Sequence, residues 1–190
     1  MSPFEYLLLF AAIILGLAIS ELAIACHRLV SAGDRVRWDW LAPLAALVVG
    51  LKIITQWWAW YAAEAFPGGL RFEMFIGVVV GGVLLFLLAA TVLPETHGAG
   101  EIDLAAHYRQ VSRRFWLLFA AHFVVVTGVS TWAQISLAGA QYGGLSRAYL
   151  VVPAAVALGF VRARWLHLLA LLVFTGLYLV QYFGQQLVHP

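Results

Sequence analysis

The sequence predicts an all-α integral membrane protein: one domain of six transmembrane helices, the fifth short, with both termini on the non-cytoplasmic side. Three observations carry that prediction. First, the 190 residues are 64% hydrophobic and only 11% charged, whereas soluble domains hold about 25% charged and about 45–50% apolar residues. Second, long apolar stretches recur, each near the roughly 20 residues a helix needs to cross a core about 30 Å thick. Third, the arginines gather in alternate loops. A disordered, nucleic-acid-binding or disulfide-rich secreted chain is excluded by the same composition. Cys26 is the single cysteine and can form no disulfide within the chain, and a formal net charge of +2 singles out no acidic partner.

In order, the spans fall at about 4–28, 40–63, 72–93, 115–137, 148–161 and 165–187. None alternates apolar and polar residues as a membrane barrel strand does. The fifth is short because fourteen residues lie between Arg147 and Arg162, and Pro153 interrupts them. Its arginines can snorkel to both interfaces, or the segment can re-enter on one side. The Arg162-Ala163-Arg164 turn joins it to the sixth span as a tight hairpin.

Orientation follows from the basic residues. The loops after spans one, three and five hold Arg28, Arg35, Arg37, Arg109, Arg113, Arg114, Arg162 and Arg164, and the opposite side only Arg71 and Arg147. By the positive-inside rule the first set is cytoplasmic. Trp38, Trp40, Trp116 and Trp165 then belong to the inner interface, and Trp57, Trp58, Trp60 and Trp132 to the outer one. No basic residue precedes Arg28, so the first span is expected to stay as a helix rather than act as a cleaved signal.

The longest loop, 94–114, opens on the turn material Pro94-Glu-Thr-His-Gly-Ala-Gly100. From Glu101 onward Leu104, Tyr108, Val111 and Phe115 recur at helical spacing, which predicts a short interfacial helix leading into span four. His97, Glu101, Asp103 and His107 match no metal-ligand spacing, and the loop is expected to be solvated. Six spans also permit two inverted halves, but 4–94 and 115–187 show no self-similarity.

The run Asp103-Leu-Ala-Ala-His-Tyr-Arg-Gln-Val-Ser-Arg-Arg-Phe-Trp116, with Gln56-Trp57-Trp58 and the opening Phe4-Glu5-Tyr6, resembles a group of small bacterial inner-membrane proteins without an assigned function. That resemblance implies a bacterial cytoplasmic (inner) membrane and six helices, and it brings neither an activity nor functional residues.

Ionisable groups at membrane depth cost about 2.5–3.5 kcal/mol on insertion scales, so each needs a partner or a purpose. Counting from the inner interface, Glu21 lies roughly 10 Å, His122 roughly 12 Å and Lys52 roughly 18 Å into the core. A Glu21–Lys52 ion pair is expected, serving either to lock two helices or to handle protons together with His122. Thr55 and Gln56 share a face with Lys52, and His167, Leu171, Phe174, Tyr178 and Gln181 form a stripe on span six. Thr127, Ser130, Thr131 and Gln134 form another on span four. These stripes either bond neighbouring helices or line an outward vestibule in which Gln56, Gln134 and Gln181 meet. Gly77 and Gly81 in span three, and Gly16 and Ser20 in span one, suit close helix packing. His27 and His167 lie at one depth, within roughly 5 Å of the inner boundary. They hold a haem b axially or remain interfacial.

No nucleotide-binding, zinc-protease or redox motif is present, and no serine sits beside a usable base. The sequence points to a non-enzymatic accessory, structural or assembly subunit. Its expected partners are membrane lipids and other membrane subunits or itself, with no nucleic acid, metal or necessary cofactor. The alternative is a small proton or ion channel or carrier using Glu21, Lys52 and His122, and the third is haem b or quinone binding.

Overall fold

The computed structural model describes residues 3–62, 71–95, 100–138 and 148–182. Within them lie six helices: α1 (Pro3–Ala32), α2 (Leu41–Ala62), α3 (Phe72–Val92), α4 (Leu104–Ala138), α5 (Ala148–Leu158) and α6 (Arg164–Tyr182). Five are long and apolar enough to cross a membrane, which makes this a membrane protein of helical class. The eleven residues of α5 reach only about 16 Å. Pro153 inside it withholds one backbone donor from the helical ladder. The chain between α5 and α6 turns in five residues, as the arginine-flanked hairpin predicts.

Each helix is held by what its sequence can bury. On α1 the residues Leu7, Ala11, Leu15, Ala18, Ala25, Leu29 and Ala32 form one buried stripe, and much of the remaining surface of the helix is exposed. That asymmetry suits lipid, because hydrocarbon outside and packed side chains inside are equally apolar. In the interior α3 packs closely on both α1 and α4, α4 on α5, and α2 on α6 and α1. Between α4 and α6 the space is filled by rings: Trp116 and Phe119 of α4 meet Phe174 of α6 at centroid distances of 6.2 and 5.0 Å. Trp116, Phe119 and Phe115 are completely buried. Trp116 is thus turned into the bundle, unlike the other tryptophans expected at this interface. Its indole N–H has a partner inside, described below. Trp38, Trp40 and Trp165 do lie exposed at the arginine-rich end.

Two features shape the loops. The amphipathic stretch after Glu101 is the beginning of α4, which runs on without a break for 35 residues or about 52 Å. Asp103 starts it, with Oδ1 accepting a hydrogen bond from the Ala106 amide at 2.8 Å. The capping hydrogen bond, with help from Arg37, holds the Asp103 carboxyl below its ordinary range against a smaller opposing effect of burial. Leu104 and Tyr108 then bury at once, and no glycine or proline interrupts the helix before Gly128.

The second feature is a strand pair. β1 (Val36–Arg37) and β2 (Ile102–Asp103) run parallel, with Val36 opposite Ile102 and Arg37 opposite Asp103. Arg37 braces the pair through Glu101 at 3.4 Å and Asp103 at 3.5 Å. Nearby, Arg164 at the start of α6 bonds Asp39 just before α2. The arginine-rich end is thus tied across three loops.

Candidate functional site

A group of buried polar side chains sits where α2, α3 and α4 meet. Lys52 and Gln56 stand four residues apart on α2 and therefore on one face. Lys52 Nζ donates to Gln56 Oε1 at 2.8 Å and lies 4.9 Å from the centre of the Phe123 ring of α4. Thr55 closes on its own helix, donating to the Lys52 carbonyl. His122, beside Phe123, is completely buried, and its Nδ1 donates to the Gly81 carbonyl of α3 at 3.1 Å. Its Nε2 is buried with no hydrogen-bond partner.

The close approach that allows this bond comes from glycine. A side chain at Gly77 would overlap Val129 Cγ2, and one at Gly81 would meet Val126 Cγ2 at 3.3 Å. The Gly77/Gly81 face is therefore the α3–α4 seam, and His122 uses it to reach a backbone carbonyl. The aliphatic and aromatic neighbours leave the cluster a low-dielectric setting in which an unpaired charge is costly.

Glu21 is not part of it. The expected Glu21–Lys52 ion pair is absent, and Glu21 makes no ion pair or hydrogen bond among the described residues. The reason lies in the register of α2. Gly50 is the point that faces α1, with Leu22 Cδ2 3.4 Å from where its Cβ would stand. Lys52, two residues and about 200° further round, turns toward α4. Glu21 stays half-buried at the rim of the α1 stripe.

Of the glutamines that would meet in an outward vestibule, Gln56 is sealed at 1% exposure, while Gln181 is exposed. Tyr178 is buried against Phe174, in line with its place in the α6 stripe. The Gln134 side chain lies outside the described residues. Gly16 and Ser20, expected as packing residues, face outward, and a Cβ at Gly16 would meet nothing within 4 Å.

The histidine pair is also corrected. His27 is exposed on α1, while His167 is buried on α6 with both ring nitrogens occupied. Its Nε2 donates to the Val161 carbonyl at 2.9 Å. Its Nδ1 accepts from the Trp116 indole and the Tyr108 hydroxyl, each at 3.0 Å. A carbonyl can only accept, so the proton is on Nε2 and Nδ1 has the lone pair. No ring nitrogen is left for a haem iron, and these two histidines do not form an axial pair. His167 instead fastens the α5–α6 hairpin to α4.

The spacing of the α6 stripe foretells the burial of His167 but not its partners. Tyr108 and Trp116, eight residues apart on α4, are the signal that could have found them, because that spacing puts both on one face. Phe123 and the Gly81 carbonyl carry no sequence signal of their own. Comparison with protein families, characterised proteins and solved structures gives no match to the chain, so its role is argued from these residues.

Proposed function

We propose that the protein is a non-enzymatic subunit of a membrane assembly, either with other membrane chains or with further copies of itself. The observation that carries this is Glu21. It lies on a helix long and apolar enough to cross a membrane, is partly exposed, and has no partner among the described residues. A carboxyl group at that depth costs about 2.5–3.5 kcal/mol unless something meets it. A hydrogen-bond donor from a neighbouring transmembrane helix is the simplest such partner. The outward face with Gly16 and Ser20 gives that neighbour room to come close on the same helix.

The setting proposed with it is a bacterial inner membrane, six helices crossing, the arginine-rich end cytoplasmic and both termini outside.

The test is the mass of the full-length protein in mild detergent, wild type against Glu21→Leu. An assembly that dissociates in the variant is the expected result. A wild-type monomer, or an assembly that Glu21→Leu leaves intact, overturns the proposal.

A second role is favoured by a different observation, the unpartnered Nε2 of His122 beside Lys52. Two titratable nitrogens in one low-dielectric cluster suit proton handling, with Gln56 fixing the lysine. Glu21 takes no part in that version. Liposomes with an internal pH-sensitive dye decide it: proton flux lost in both Lys52→Met and His122→Phe supports it, and absence of flux removes it.

A further inference from the structure

At the arginine-rich end, the first turns of α4 and the α5–α6 hairpin enclose a pocket of about 350 Å³. Tyr108, Arg109, Ser112, Arg162, Arg164 and His167 line it, along with Val161. Three guanidinium groups border one small space, and the local charge is far from balanced. Asp39 pairs with Arg164. Arg109 and Arg162 have no ion pair among the described residues. Asp103, which Arg109 feels only at longer range, is bonded by Arg37 and the Ala106 amide.

The floor of the pocket is fixed. His167 is held by Val161, Tyr108 and Trp116, so Tyr108 and His167 cannot swing out to fill the space. Ser112 is anchored to the Arg109 carbonyl at 3.2 Å. The rim, in contrast, consists of exposed arginines whose planar forks suit phosphate oxygens. Trp165, 66% exposed beside Arg164, marks the depth as the membrane–water interface. Basic pockets between transmembrane helices on the cytoplasmic side suit anionic lipid head groups.

We propose that this pocket binds a phosphate group at head-group depth, with Arg109 and Arg162 as its charge partners and Arg164 held ready by Asp39. The two sources of such a group are the phosphodiester of an anionic phospholipid and free inorganic phosphate. A neutral zwitterionic head group is excluded from the class, because its own cation would face the arginines.

Native mass spectrometry of the full chain in mild detergent tests this, with titrations of phosphatidylglycerol, phosphatidylcholine and inorganic phosphate. Phosphatidylglycerol is expected to be retained in preference to phosphatidylcholine. Arg109→Gln with Arg162→Gln should weaken that retention at least tenfold, and Arg28→Gln, exposed and remote from the pocket, should leave it unchanged. Each single variant provides the same test if the double variant fails to fold. Saturable binding of inorganic phosphate that the pocket variants abolish, without phospholipid selectivity, supports the site and assigns it to the soluble anion. Equal retention of both lipids with no phosphate binding overturns the proposal, as does retention that the pocket variants leave unaltered.

Discussion

Two helices of this protein carry small residues at close-packing spacing, and they use them in opposite ways. On α3, Gly77 and Gly81 let the backbone of α4 come so near that a single methyl at Gly77 would overlap Val129. On α1, Gly16 opens onto empty space with Ser20 beside it. The histidines divide in the same way: His167 is wired into the bundle by three hydrogen bonds, and His27 faces outward. Lys52 is sealed and Glu21 is half-open. The interior of the protein is concentrated on α2, α3, α4 and the stripe of α6, while α1 contributes one narrow face and shows the rest. A motif states what a helix surface permits, and only its neighbours decide whether that permission is used.

The sharpest way to break this division is at the histidines. His167→Ala should lower stability by about 3–5 kcal/mol, because it strands the Trp116 and Tyr108 donors and leaves a void. His27→Ala should change it little. Unfolding in mixed micelles measures both, and equal losses would erase the contrast. Next come the glycines. Gly77→Ala forces an extra methyl against a stiff β-branched side chain and should cost about 1–3 kcal/mol. Gly16→Ala, with open space around it, should be neutral or slightly stabilising, in the direction of alanine's better helix propensity. A third comparison joins the two regions. Glu21→Gln and Lys52→Met should add within about 0.5 kcal/mol in a double-mutant cycle, because the side chains do not touch. Coupling beyond that would restore the ion pair.

The smallest effect concerns the loop that borders the interior. Asp103 has a depressed carboxyl pKa from its capping bond to the Ala106 amide and from Arg37. Its contribution is therefore full above the unfolded value of about 3.9 and fades as pH falls through the lower folded value. The stability gap between wild type and Asp103→Ala should accordingly narrow on acidification from pH 6 toward 3. A gap that stays constant over this range would mean that the carboxylate's charge plays no part.

Much of the fold is legible because membrane crossing imposes length and hydropathy on each helix separately. The boundaries expected for spans two and three, 40–63 and 72–93, lie within a residue or two of α2 and α3. The shortness of α5 follows from Arg147, Pro153 and Arg162. What escapes is whatever depends on two helices meeting. The depth of Lys52 can be counted along α2, but its azimuth against α1 depends on Gly50 and Leu22 touching first. Depth alone therefore suggests Glu21 as its partner, and rotation rejects it. The helical spacing after Glu101 shows a stretch leading into span four, and the Asp103 cap and the immediate burial of Leu104 are what join the two into one helix. The two-residue strands leave no periodicity at all, and only a tertiary encounter makes them.

That strand pair has a consequence for how the chain is assembled. Arg37 and Asp103 are 66 residues apart, with all of α2 and α3 between them. During synthesis the segment after α1 must therefore wait, unpaired, while a hairpin of two apolar helices enters the bilayer. Parallel pairing across so long a closure has a slow, late-forming character. Until Ile102 has emerged beside Val36, and Asp103 has begun α4, the segment after α1 lacks its strand partner.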